Sequence, residues 1–194
     1  MWDRVTIETK PVGVAVTLAD AKAFCDIDYT DDDDLITSLI ASATSKLDGP
    51  RGIGIACFTQ TWELSLDNFP YSEIILPGWP VKSITAVSYT DTDGATQTID
   101  AADYQLDIKG DRARLTPVFG GSWPSSRLVN GAVSITYVVG EAQDDIEPVL
   151  KLAIKQMVAH WYENREAISE TSFSDVPMSA TQIMRDYMRG GIAA

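Results

Sequence analysis

The stretch IEPVLKLAIKQMVAHWYENRE, residues 146–166, decides how the rest of the chain is read. Its apolar residues Ile146, Val149, Leu150, Ala153, Ile154, Met157, Val158 and Trp161 recur at spacings of three and four, the period of one helix face at roughly 3.6 residues per turn. Pro148 falls in the first turn, where a missing N–H costs nothing. Asp144, Asp145 and Glu147 place negative charge at the end of the helix that favours it. Leu152, Ala159 and Tyr162 form a second, narrower apolar strip, so the helix is either deeply buried or shared between partners. It closes on a dense aromatic and charged run, His160 to Glu166.

Two more helices are predicted upstream. Thr17-Leu18-Ala19-Asp20 matches a capping box, and a short helix over 18–27 should bury Leu18, Ala21, Phe24 and Cys25. The acidic run 26–34 fails as a calcium loop, because Asp31 stands where glycine is wanted and Thr37 where a bidentate glutamate is wanted. Its simpler role is to start a helix over 32–48, with Thr30 or Asp31 as cap and Leu35, Ile36, Leu39, Ile40, Ala43 and Leu47 on one face. Gly49-Pro50-Arg51-Gly52 stops it.

From Cys57 the period changes to two. Alternation predicts strands around Trp62, Leu64 and Leu66, then over 72–76, 82–90, 96–99, 104–108, 112–116 and 133–139. Within the third, Thr85, Val87 and Tyr89 should share a face, and Asp91-Thr92-Asp93-Gly94 signals a hairpin. Residues 1–16 read as a loose or extended arm, and 181–189 as a short amphipathic segment.

The layout predicts an α+β fold: a helical bundle core of three to four helices, with an antiparallel β-sheet domain inserted between helices 2 and 3. The expected divisions are 1–54 for the arm and first two helices, 55–140 for the β domain, 141–168 for the long core helix, and 169–194 for a flexible tail carrying the amphipathic segment.

Composition narrows the function. Lys+Arg 15 against Asp+Glu 28 gives a net charge of −13, a surface that repels phosphate and argues against a sequence-reading nucleic-acid binder. No apolar run approaches the roughly 20 residues of a membrane span, and the first residues do not form a signal peptide. Cys25 and Cys57 make no metal spacing and are expected as free thiols. His160 is the sole histidine, and no nucleophile elbow or phosphate-binding glycine loop is present. No catalytic residue, metal or cofactor is therefore called for. Trp62, Trp79, Trp123, Tyr71 and Tyr89 could form a sugar-binding platform; the competing reading makes Trp62 core and lets Trp79 and Trp123 pin turns beside prolines. The tail residues Ile183, Met184, Tyr187 and Met188 suit either a partner groove or the chain's own bundle.

Three segments carry a family resemblance. They are Val16-Thr17-Leu18-Ala19-Asp20-Ala21-Lys22 with Asp33-Asp34-Leu35-Ile36, then Thr59-Gln60-Thr61-Trp62-Glu63-Leu64-Ser65-Leu66-Asp67 with Phe69-Pro70 and Leu76-Pro77, and finally residues 158–166, VAHWYENRE. In order and spacing the sequence resembles the head–tail connector (adaptor) proteins of long-tailed phages, prophages and gene transfer agents. It departs from them at Cys25-Asp26, where a basic patch is common, and matches loosely after Ile168. The resemblance implies a structural virion protein at the head–tail joint, made in the bacterial cytoplasm. Its copies would form a ring, usually a dodecamer, under the portal protein, extending the DNA channel and docking the tail stopper without gripping DNA or touching a membrane. It further implies that Trp161, Tyr162, Glu163 and Arg165 lie between subunits or near the portal, and that Phe173, Met178, Ile183, Met184, Tyr187 and Met188 dock onto the portal. The alternative is a carbohydrate- or receptor-binding module of a phage-like particle.

Overall fold

Helical and alternating periods sort the chain into elements much as the sequence suggests. The computed structural model describes residues 4–9, 13–110, 112–142, 145–164 and 176–188. In order these form β1 (Val5–Thr9), α1 (Leu18–Phe24), α2 (Asp33–Leu47), β2 (Gln60–Leu66), β3 (Ile74–Leu76), β4 (Val81–Thr90), β5 (Thr96–Thr98), β6 (Tyr104–Asp107), β7 (Ala113–Pro117), β8 (Val133–Val139), α3 (Pro148–Glu163) and α4 (Met178–Tyr187). The class is α+β, with antiparallel sheets and four α-helices among the described residues.

The strands divide into two sheets, of order β1-β2-β8-β4-β5 and β3-β7-β6. Strand β8 is central in the larger sheet, paired with β2 on one edge and β4 on the other, and every second residue, Val133, Ile135, Tyr137 and Val139, is buried. It pairs Trp62 with Tyr137 and Leu64 with Ile135 across the β2 side. The two sheets share a core of Trp62, Leu64, Val87, Ile135 and Tyr137 with Ile74, Leu76 and Leu115. A separate core joins the helices: Ile36, Ile40 and Leu47 of α2 meet Leu150, Ile154, Met157 and Val158 of α3, with Ala21 and Ala180 completing it.

Several expectations are corrected. Of the two forms expected for the N-terminal arm, loose or extended, residues 5–9 take the extended one, and beyond that expectation β1 joins the sheet edge, pairing antiparallel with β2, Val5 opposite Leu64 and Ile7 opposite Trp62. Only Val5 of β1 is buried, so edge hydrogen bonding rather than an apolar pattern places it, and the sheet does not lie wholly between α2 and α3. Helix α1 ends at Phe24 instead of near Ile27, because Asp26 takes φ +56 and the Ile27 N–H closes back onto the Lys22 carbonyl. Phe24 is consequently exposed. Helix α2 is preceded by Asp32, whose side chain makes no capping bond, so neither Thr30 nor Asp31 holds the cap position. Register shifts in β4 between Val81 and Ser83 and between Ile84 and Ala86 turn Thr85 outward while Val87 stays buried.

One position shows how tightly the strands close. Gly140 follows β8 at φ +94 and gives its N–H to the Pro80 carbonyl, and a Cβ there would lie 1.8 Å from the Phe58 carbonyl oxygen. Gly140→Ala should cost about 3 kcal/mol or more. Gly120, at φ +78 with nothing within 4 Å of its would-be Cβ, serves as control and should cost about 1 kcal/mol as Ala. Urea midpoints read both; equal losses would contradict the backbone clash.

Candidate interaction surfaces

The end of α3 that carried the family resemblance is an internal tie as well as a surface. Trp161 is half-buried against the helical core, with the Lys46 Nζ 5.9 Å from its ring centroid. The Tyr162 hydroxyl donates to Asp32 Oδ2 at 2.5 Å, which leaves Tyr29 to donate to Tyr162 at 2.6 Å. The bond to Asp32, and then that to Tyr29, holds the Tyr162 phenol above its ordinary range. Lys22 joins this cluster through the Tyr29 carbonyl and a 2.6 Å ion pair with Asp33. The ends of α1, α2 and α3 are thus bound at one point. Glu163 is exposed, and Arg165 lies outside the described residues. Nothing in the acidic linker's pattern marked Tyr29 and Asp32 as partners of Tyr162.

Helix α4 lies back along α3. Ser179 bonds Gln156 at 3.0 Å and the Tyr187 hydroxyl bonds Glu147, so the two helices run antiparallel over the first half of α3. Ile183, Met184 and Tyr187 are half-buried on the helical core, whereas Met178 at 86% exposure and Met188 at 42% face outward. Phe173 lies outside the described residues.

At the junction of helices and sheets the side chains form a relay. Asp48, just after α2, accepts the Cys57 N–H at 2.7 Å and the Gln60 amide at 2.9 and 3.1 Å. Gln60 is 1% exposed, and its carbonyl oxygen accepts the Trp62 indole N–H at 2.9 Å. Burial raises the Asp48 carboxyl above the usual carboxylate range, and the bonds from Cys57 and Gln60 oppose it. Burial, aided by Asp48, pushes the Cys57 thiol up to about 12, which leaves it inert as a nucleophile. Cys25 is likewise raised by burial. The His160 carbonyl is capped by Asn164 at 2.8 Å, and its ring faces the same side chain. No group of three potential metal ligands occurs among the described residues.

Trp79 and Trp123 lie on different grooves. Trp79 lines one of about 290 Å³ with Ala56, Pro80, Ile146 and Leu150, between the β part and α3. Trp123 stacks on Phe69 at 5.1 Å and gives its indole N–H to the Ser72 carbonyl. The loops around it carry fully exposed Tyr71 and Phe119, with Leu128 at 86%.

A family model described as head completion protein matches residues 15–174. The chain belongs to the head completion protein family, a family of structural virion proteins, and is not an enzyme. Among solved structures it is similar to a chain in the neck of an empty gene transfer agent particle computed with C6 symmetry, at 19% identity and TM-score 0.75, covering 97% of this chain and 96% of that one. A chain in the virion of a native gene transfer agent particle gives 18% identity, TM-score 0.75 and the same coverage. One in the neck of a native particle computed with C12 symmetry gives 17%, TM-score 0.60, and 96% and 97% coverage. At these identities the likeness establishes the fold. No curated protein sequence matches the chain.

The relay generates a stability prediction with a pH sign. Gln60→Leu takes two donor contacts from the Asp48 carboxylate and removes the Gln60 oxygen that accepts the Trp62 indole N–H, and should cost about 2–4 kcal/mol near neutral pH. Because the folded carboxyl is held above its unfolded value, the penalty for its charge appears as pH rises through the folded pKa and is absent below the unfolded one. The deficit should therefore shrink in denaturant melts at about pH 3 relative to about pH 7. A deficit independent of pH would separate Gln60 from Asp48.

Proposed function

We propose that this head completion protein is a ring-forming subunit of the neck of a phage or gene-transfer-agent-like particle, seated under the portal as a head–tail adaptor. The observation that carries the reading is the family match over residues 15–174, which spans both the helical core and the sheets. Structural likeness to neck chains from particles with C6 and C12 symmetry over nearly the whole length supports it. The helical core would seat against the portal. The β part would reach toward the tail side as an insertion, since strands β2 to β8 run in chain order between α2 and α3. The net charge of −13 suits a channel wall that lets DNA slide past, because like charge keeps phosphates off the protein.

Within this reading, Trp161, Tyr162, Glu163 and Arg165 sit near a subunit boundary. Tyr162 and Trp161 stiffen that end through contacts inside the subunit, and exposed Glu163 meets the neighbour. The tail region from Phe173 to Met188 docks onto the portal. Helix α4 presents Met178 and Met188 outward while Ile183, Met184 and Tyr187 hold it to its own core. A carbohydrate- or receptor-binding module would want its tryptophans on a shared platform, and Trp79 and Trp123 occupy separate grooves, so we do not adopt that alternative.

Electron microscopy of particles from a strain lacking the gene tests the class. DNA-filled heads without tails are expected, and normally tailed particles would overturn the neck role. Met178→Glu combined with Met188→Glu tests the tail. Both side chains face outward, so the purified chain should keep its melting temperature within about 2 °C while complemented particles lose their tails. Full complementation would remove α4 from the portal contact.

A further inference from the structure

A groove of about 470 Å³ opens between the end of β4, the turn before β6 and the loop after β7. Its walls combine two aromatic rings, Tyr89 and Trp123, with two exposed carboxylates, Asp100 and Asp103, and the Ser122 hydroxyl. The lining contains no lysine, arginine or histidine. Arg127, the basic residue of the loop beyond, lays its guanidinium against Gly94 in the β4–β5 hairpin instead. The rings are fixed in place. Phe69 stacks on Trp123 with its plane 9° away, and meets Tyr89 edge-on at 5.7 Å. Asp100 is also held, because its Oδ1 accepts the Ala102 N–H at 2.9 Å, and the Asp103 carbonyl accepts from Val118.

Ring faces and carboxylates without a resident cation attract a delocalised cation, and a planar guanidinium satisfies both through stacking and a forked bond to oxygen. Phe119 lies between the lining residues Val118 and Gly121 and is fully exposed, an apolar rim that a free ion would leave wet. We propose that this groove receives an arginine side chain of a partner polypeptide, with a neighbouring apolar residue of that partner covering Phe119. The proposal stands on the lining of the groove and not on the neck role, so either can fail without the other.

The test uses the full chain labelled with 5-fluorotryptophan, whose five tryptophans give separate fluorine resonances, with Trp123→Phe assigning the relevant one. The probe is the peptide acetyl-Gly-Leu-Arg-Gly-amide, with the glutamine analogue as control. The Trp123 resonance should shift saturably with the arginine peptide alone, and the affinity should fall as NaCl rises from roughly 20 to roughly 300 mM. Asp100→Asn with Asp103→Asn, which keeps the capping oxygen, should weaken binding about tenfold or more while the other four resonances stay in place. Should that pair disturb the fold, Asp103→Asn alone carries the same expectation at smaller size. An equal response to the glutamine peptide, no response at all, or a response only to a neutral oligosaccharide such as maltotriose would overturn the proposal.

Discussion

The Asp48 carboxylate leaves the C-terminal end of α2 and accepts two donors from the β part, the Cys57 N–H and the Gln60 amide. Gln60 passes the connection to Trp62, which meets Tyr137 edge-on with ring centroids 6.4 Å apart, and the Tyr137 hydroxyl ends the path on the Pro77 carbonyl at 2.9 Å. These are directional bonds in a poorly solvated place, where a misaligned donor costs more than it would in water. Two hydrophobic cores could slide past each other over a range of angles. A relay that satisfies every member in one geometry selects one angle, and Asp48 tolerates its raised carboxyl because the relay supplies donors to it.

The rest of the junction is built around that geometry. Backbone bonds from Gly49 to Ile55 and from Ala56 to Trp79 continue the connection, and Trp79 packs its ring on the helical core although it belongs to the β segment. Gly78, at φ +95, stands so close to Trp62 that a Cβ would approach its ring to 2.4 Å, so the turn after Pro77 is shaped by the indole that Gln60 orients. Strand β1 then adds its hydrogen bonds to the free edge of β2, with Arg4 clamped on Asp67 by a two-pronged pair. An exposed pair of that kind contributes little to stability alone, but it fixes where the arm begins.

Most of the elements were legible because their signals are local. The alternation of Val133, Ile135, Tyr137 and Val139 and the helical spacing from Leu150 to Val158 each need only one buried face, which short windows reveal. What escaped depended on partners distant in sequence. The pairing of β1 draws on the edge of β2, the division into two sheets on which strands meet, and the outward turn of Thr85 on bulges against β8. The end of α1 at Phe24 escaped because the left-handed residue that follows, Asp26, is an aspartate where glycine is the usual signal. Among the interaction residues, the aromatic run ending α3 was visible as unusual, but its engagement with Tyr29 and Asp32 is tertiary. The aromatic and acidic groove was hidden for the same reason, since Tyr89, Asp100 and Trp123 meet only through the fold.

The distribution of exposed apolar residues bears on how such a subunit would work. Its large charge excess opposes casual association, so any stable contact must come from local patches strong enough to overcome repulsion. Exposed apolar side chains occur on both parts, Tyr71, Phe119 and Leu128 on loops of the β part and Phe24, Tyr29, Met178 and Met188 on the helical part. Under the reading proposed above, exposed apolar side chains on two parts joined by the Asp48 relay suit a piece that joins two neighbours and sets their relative orientation. A piece of that kind needs no convergent chemistry. It needs stiffness between its surfaces, and the buried polar path from α2 to β8 is where this chain places it.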